Sequence, residues 1–233
     1  MSLTTGLLAY WKLDEASGNR ADSFGSFTLT DNNTVGSATG RIGLASDHIR
    51  ANNEFLSNTT VCNSIGNAWS FAGWFNFPEI GVANQTIISI RPGAGAANLI
   101  QIETNINSGQ LRSIIFNSAG SNRKDYQKNG GLVANTWEFF AMTWDGTTFE
   151  MYHDGSNAGI TKAVDLSLSM TATSRTLRIG AELSASNVAD GLIDEIGVWT
   201  RALTSAEITE LYNGGAGLTY PFTTRSASFL QLL

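Results

Sequence analysis

Gly191 to Trp199 reads GLIDEIGVW and, beyond Thr200-Arg201-Ala202-Leu203, Thr204 to Tyr212 reads TSAEITELY. The first stretch is a strong strand, and in the second the apolar period changes from sheet to helix. Thr204 and Glu207 form a capping box, and Leu203 before the cap is placed to staple onto Ile208. Ile208, Leu211 and Tyr212 make one apolar stripe. Gly214-Gly215 then stops the helix with the residue type that accepts a left-handed conformation. One short helix therefore closes a chain whose other elements read as strands.

Working back, Trp137 to Trp144 (WEFFAMTW) meets Thr148 to His153 (TFEMYH) across Asp145-Gly146, a dipeptide suited to the positive φ of a tight primed turn, so the two runs form a hairpin. Further short strands are expected around Gly159 to Ala163 and Thr176 to Ala181. Trp69, Phe71, Gly73, Phe75 and Phe77 alternate with Ser70, Ala72, Trp74 and Asn76, leaving large aromatics on both faces, which places this strand between two layers. Thr86 to Ile90, Leu99 to Glu103 and Leu111 to Phe116 read as three strands of one antiparallel sheet. Gly6 to Asp14 supplies the first strand, and residues 18 to 68 read as short strands in long loops. No repeat of about 20 to 50 residues suggests a propeller or solenoid.

The 233 residues are 42% hydrophobic and only 15% charged, against about 25% charged in an average soluble domain. Ser, Thr and Asn outnumber the charged residues, which disfavours helix interiors and a helical bundle. A net charge of −6 without a Lys/Arg cluster excludes a nucleic-acid footprint, and the same balance disfavours an anionic membrane. Cys62, the single cysteine, reads as a small buried apolar residue.

Taken in order, GLLAYWKLDE (6–15), GRIG (40–43), the strand from Trp69 to Phe75, NTWEFFAMTWDG (135–146), LRIG (177–180) and the closing strand and helix (191–212) resemble the laminin-G-like branch of the concanavalin A-like lectin/glucanase superfamily. The resemblance implies an all-β jelly-roll sandwich of two antiparallel sheets with one short C-terminal helix. The domain is expected over residues 1–216, with a tail over 217–233 that serves as an assembly segment or packs on its own sandwich. In related domains a structural ion lies between a loop acid after the first strand and an acid near the end. By position these are Asp22 and Asp194, with calcium the expected ion. Two alternatives stay open: Asp22 makes an Asx turn, and Asp194 pairs with Arg41 or a backbone amide.

This fold hosts several functions, so activity has to come from a site. The Glu-x-Asp-x-x-Glu run of the family's glucanases is missing, and adjacent Asp194 and Glu195 are expected on opposite sheet faces, poor geometry for two acids on one bond. His48 and His153 sit in no ligand or triad spacing and read as surface or turn residues. A sugar platform would come from Tyr126 or Trp74, unless these aromatics are core. Met1 to Gly6 carries no export signal, so synthesis in a cytoplasm is expected. A sticky terminus, Phe229 to Leu233, adds the expectation of a non-enzymatic virion subunit displayed on a phage or viral surface, homo-oligomeric, with capsid proteins as partners and glycans as ligands. The alternatives are a soluble carbohydrate-binding module and, behind it, a glycoside hydrolase.

Overall fold

The alternating runs pair into two antiparallel sheets. The computed structural model describes residues 2–93, 95–105, 109–170, 174–183 and 186–223. Its strands are β1 (Leu7–Trp11), β2 (Thr30–Asn32), β3 (Gly36–Thr39), β4 (Leu44–His48), β5 (Phe55–Asn58), β6 (Trp69–Asn76), β7 (Gln85–Arg91), β8 (Ile100–Asn105), β9 (Gln110–Phe116), β10 (Arg123–Lys128), β11 (Glu138–Trp144), β12 (Phe149–His153), β13 (Ile160–Asp165), β14 (Thr176–Ile179) and β15 (Gly191–Trp199). Helix α1 (Ser205–Tyr212) follows directly. One sheet has seven strands in the order β12-β11-β6-β15-β4-β3, with β1 also paired to β15; the other has eight, β13-β10-β9-β8-β7-β14-β5-β2. β7, β8 and β9 are neighbours in one antiparallel sheet, as their patterns predict.

The inner faces close on each other. Trp11, Trp69, Phe71, Phe75, Phe140 and Ile196 from the seven-stranded sheet pack against Ile88, Ile102, Ile115, Tyr126 and Leu177 from the other. Each such side chain contributes about 1.5–3 kcal/mol by leaving water. A second apolar layer lies outside the seven-stranded sheet, where Tyr10, Trp74, Phe139 and Trp199 are covered by Leu3, Ile208 and Leu211 and, in part, by Tyr212, Leu218 and Phe222. The aromatics on both faces of β6 thus meet two layers.

Helix α1 starts as its sequence dictates. Thr204 accepts from the Glu207 amide at 3.3 Å and Glu207 accepts from the Thr204 amide at 2.9 Å. Its stop differs by one residue: Asn213, at φ 49°, takes the left-handed cap position ahead of the two glycines, a role Asn shares because its short side chain tolerates that backbone. The Asp145-Gly146 hairpin forms, but the Trp144↔Phe149 pair closes a longer loop than a two-residue turn. Asp145 Oδ1 accepts from the amides of Thr147 (2.8 Å) and Thr148 (2.7 Å), and of the dipeptide only Gly146 has positive φ. The region 18 to 68 holds more order than its composition suggests: β2 to β5 complete both sheets. Residues 218–222 of the expected tail lie on their own sandwich, with Phe222 stacked on Trp199 at 6.4 Å. Phe229 to Leu233 lie outside the described residues.

Candidate functional site

The outer face of the eight-stranded sheet is polar. Because successive strand residues alternate in direction, Ile100, Ile102, Ser113, Ile115 and Tyr126 face the core while Gln101, Glu103, Arg112 and Asp125 face outward. Register then aligns them: Arg178↔Ser89, Ser89↔Gln101, Gln101↔Ile114 and Ile114↔Asp125 form one row across the sheet, and Glu103↔Arg112 and Arg112↔Gln127 form the next. Arg91 lies two residues beyond Ser89 on the same face, and Glu182 reaches in from the loop after β14.

These side chains form one network. Arg112 bridges two acids, with Nη1 3.2 Å from Glu103 Oε1 and Nε and Nη2 at 2.9 and 2.5 Å from the two oxygens of Asp125. The Gln101 amide donates to Glu103 at 2.7 Å and to Glu182 at 2.9 Å, and its oxygen accepts from Arg91 at 2.9 Å. Glu182 also accepts from Asn187 at 3.0 Å and lies 3.3 Å from Arg91. Gln127 donates to Asp125 at 3.2 Å. The two bridged carboxylates titrate in opposite directions. Burial raises Glu103 above the usual carboxylate range despite Gln101 and Arg112. Burial alone would raise Asp125 too, but the hydrogen bonds and charge of Arg112 hold it below that range. Arginine stems form the outer layer, the Arg112 side chain being 24% exposed and that of Arg123 43%. Arg178 lies over the Phe55 ring at 4.4 Å.

The residues expected from the sequence lie elsewhere. Asp22 Oδ1 accepts from the amides of Tyr10, Phe24 and Gly25, and Oδ2 from that of Phe27, at 2.9–3.1 Å. That is the Asx-turn alternative, with N–H donors occupying the oxygens a hard cation would need. Asp194, fully buried, accepts from the amides of Arg41 (2.7 Å) and Ile42 (3.1 Å). Gly40 permits this approach, since a Cβ there would come within 2.7 Å of Asp194 Oδ2 and press on the Leu44 carbonyl. Each acid is thus engaged by backbone amides, although Asp194 Oδ1 has no hydrogen-bond partner among the described residues.

Asp194 and Glu195 do not point to opposite faces. The ladder with β6 slips between Asp194 and Gly197, and Glu195 sits at φ 54°, so both carboxyls fall on the outer side between the core residues Ile193 and Ile196. Burial and the Glu195 charge push Asp194 up to about 8, and burial pushes Glu195 up to about 7. The Tyr10 hydroxyl lies 2.5 Å from Glu195 Oε2 and 3.1 Å from the Leu218 carbonyl. The Tyr10 hydroxyl is the donor in both contacts, and its bond to Glu195 opposes the upward push of burial on that carboxyl.

Neither expected sugar platform is open. Tyr126 is 1% exposed and packs on Phe149 at 4.9 Å, while Trp74 is 2% exposed beneath Arg41 and Tyr212. The histidines are not surface residues either. His48 is fully buried and pushed down to about 4 by that burial; His153 lies 2.7 Å from Glu138. Glu138, His153 and Asp154 group closely, yet Glu138 Oε1 accepts the Val133 amide and Asp154 Oδ1 the Phe139 amide, so the group pins the ends of β11 and β12. Cys62 is buried, as expected, and its thiol is raised to about 12 by burial.

The polar face had a signal that the β-branched pattern obscured. Gln101 and Glu103 recur at period two opposite Ile100 and Ile102, and Arg123, Asp125 and Gln127 opposite Lys124 and Tyr126. What the chain does not show is that Glu182 and Arg178 come to the same place.

Solved structures of similar architecture include domain 4 of AbnA, a GH43 extracellular arabinanase from Geobacillus stearothermophilus, in complex with arabinotriose, at 18% identity over 88% of this chain and 97% of that one, with a TM-score of 0.65. The binding domain of Paraclostridial Mosquitocidal Protein 1 aligns at 13% identity and a TM-score of 0.69 over 92% of this chain but 53% of its own. Trypanosoma rangeli sialidase in complex with sialic acid aligns at 14% identity and a TM-score of 0.66 over 92% of this chain and 34% of its own. At such identities the likeness concerns the fold. No curated protein matches the chain in sequence. The family model Laminin_G_3 matches residues 46–209, more than two thirds of the length, and the chain belongs to the concanavalin A-like lectin/glucanases superfamily.

Proposed function

We propose that this chain is a carbohydrate-binding domain and that its sugar site is the outer face of the eight-stranded sheet. The observation that carries the reading is the asymmetry of the two outer faces: one is apolar and covered by the chain's own helix and termini, the other presents amide, carboxylate and guanidinium groups in rows across adjacent strands. A pyranose edged with hydroxyls is matched by planar groups of this kind, fixed in position by a sheet. Family membership and the arabinotriose complex of the arabinanase domain support the same class of ligand.

The reading is non-enzymatic. Arg112 ties Glu103 and Asp125 together, which suits a rigid recognition surface better than an acid and a nucleophile waiting on opposite sides of a bond. The test is a titration of the labelled chain with a panel of oligosaccharides followed by NMR. Shifts confined to β7 to β10 and β14 are expected. Absence of shifts with every saccharide, or shifts on the α1 side alone, would overturn the assignment, and hydrolysis of any panel member that is lost in Glu103→Gln would overturn its non-enzymatic part. Display of this domain on a virion, the finer setting expected from the sequence, is proposed separately and is tested by copurification with assembled particles in fixed stoichiometry.

A further inference from the structure

The network engages its acids more fully than its cations. Each of its carboxylates already accepts: Glu103 from Gln101 and Arg112, Asp125 from Arg112 and Gln127, Glu182 from Gln101 and Asn187. The donors are in surplus. Among the described residues the buried Arg91 Nε and Arg178 Nε have no hydrogen-bond partner, nor has the hydroxyl of Ser89, 2% exposed in the row between Arg178 and Gln101, while Arg123 Nε lies 3.8 Å from Asp125 Oδ2. Arg91 and Arg178 converge, since Arg91 Nη2 lies 3.3 Å from the Glu182 carboxylate and Arg178 Nη1 donates to the Glu182 carbonyl at 2.7 Å. Charge points the same way. Arg91, Arg112, Arg123 and Arg178 outnumber Glu103, Asp125 and Glu182 on this face, although the whole chain carries −6.

We infer that this face selects acidic saccharides, sugars whose carboxylate is taken by Arg91 and Arg178, over neutral ones. The inference rests on the sugar-binding reading and adds the ligand's sign. A ligand rich in acceptors meets donors with spare capacity, and a planar carboxylate matches a guanidinium fork. A neutral sugar's hydroxyls can accept from the same donors but bring no charge to the guanidinium groups.

The test is calorimetric titration of the full chain with 3′-sialyllactose and trigalacturonate as acidic probes, against lactose and arabinotriose as neutral ones. At least one acidic probe is expected to bind about tenfold more tightly than either neutral probe, and to lose about tenfold between about 50 mM and 500 mM NaCl. Arg91→Gln and Arg178→Gln are each expected to remove most of that preference while leaving the far-UV circular dichroism unchanged. Neutral probes bound as tightly as acidic ones, or acidic binding indifferent to salt, would overturn this inference and leave the sugar-binding reading standing. No binding of any probe would overturn both. Should a variant fail to fold, the salt dependence of the unmodified chain still decides.

Discussion

The two sheets of the sandwich differ in what lies on their outer faces. Outside the seven-stranded sheet, Tyr10, Trp74, Phe139 and Trp199 form an apolar surface that the chain covers with α1, with Leu3 and with Leu218 to Phe222. Outside the eight-stranded sheet, Gln101, Glu103, Arg112 and Asp125 hold one another and the arginine stems form the outer layer. An apolar face left in water is a liability that chain termini can remove, whereas a polar face can meet water and remain available to a ligand. The first face therefore serves stability, and the second is where the proposed recognition falls.

This contrast can be broken in several places. The largest effect is expected from Trp199→Ala, which empties a fully buried site and removes the indole bond to the Leu3 carbonyl at 2.7 Å. A loss of about 3–5 kcal/mol, measured by denaturant unfolding, is expected. Cutting Arg112 back to Met tests the other face. It takes the shared cation from the buried acids Glu103 and Asp125, at a cost of about 1–3 kcal/mol in the same measurement. If Arg112→Met matched or exceeded Trp199→Ala, the polar face would be the structural one and the assignment of roles would reverse.

Removing the helix cap by Thr204→Ala should cost about 1 kcal/mol, seen as a lower melting temperature. The smallest change is expected for Lys162→Ala at the edge of the eight-stranded sheet, where a 45% exposed side chain pairs with Glu150 at 3.3 Å. Such a pair contributes about 1 kcal/mol or less.

The acid pair under the covered face adds a pH dependence. Asp194 and Glu195 hold their protons in the folded chain up to about 8 and 7, against 3.8 and 4.5 in the unfolded chain. Between those values the folded state binds more protons, so their contribution is complete at the acid end and is lost as pH rises through 7 to 8. Melting temperatures recorded from about pH 5 to about pH 9 should fall across that window, and Asp194→Asn with Glu195→Gln should flatten the fall. A profile that rises over the same range would contradict the burial of these groups as acids.

Much of the fold was legible because its signals are local. Period-two aromatics in β6, the paired runs of β11 and β12, and the Thr204/Glu207 box each specify an element from neighbouring residues. The short strands β2 to β5 were expected in kind but not placed, because strands of three to five mostly polar residues carry too few apolar positions to show a period. The facing of Asp194 and Glu195 was misjudged for a related reason. Alternation holds only along a regular strand, and the bulge at Glu195 is imposed by pairing with β6 rather than announced by its own residues. The aromatic platforms failed because α1 and the inter-sheet core cover Trp74 and Tyr126.

By itself the sequence determined an all-β sandwich with one closing helix, since strand alternation, capping and turn residues act over a few positions. The tertiary structure alone decided which face could meet a ligand. Arg91, Gln101, Arg112, Asp125, Arg178 and Glu182 are spread over some ninety positions of the chain, and only hydrogen-bonded register between strands brings them into one surface. Register depends on contacts across the whole sheet, which no local stretch of residues encodes.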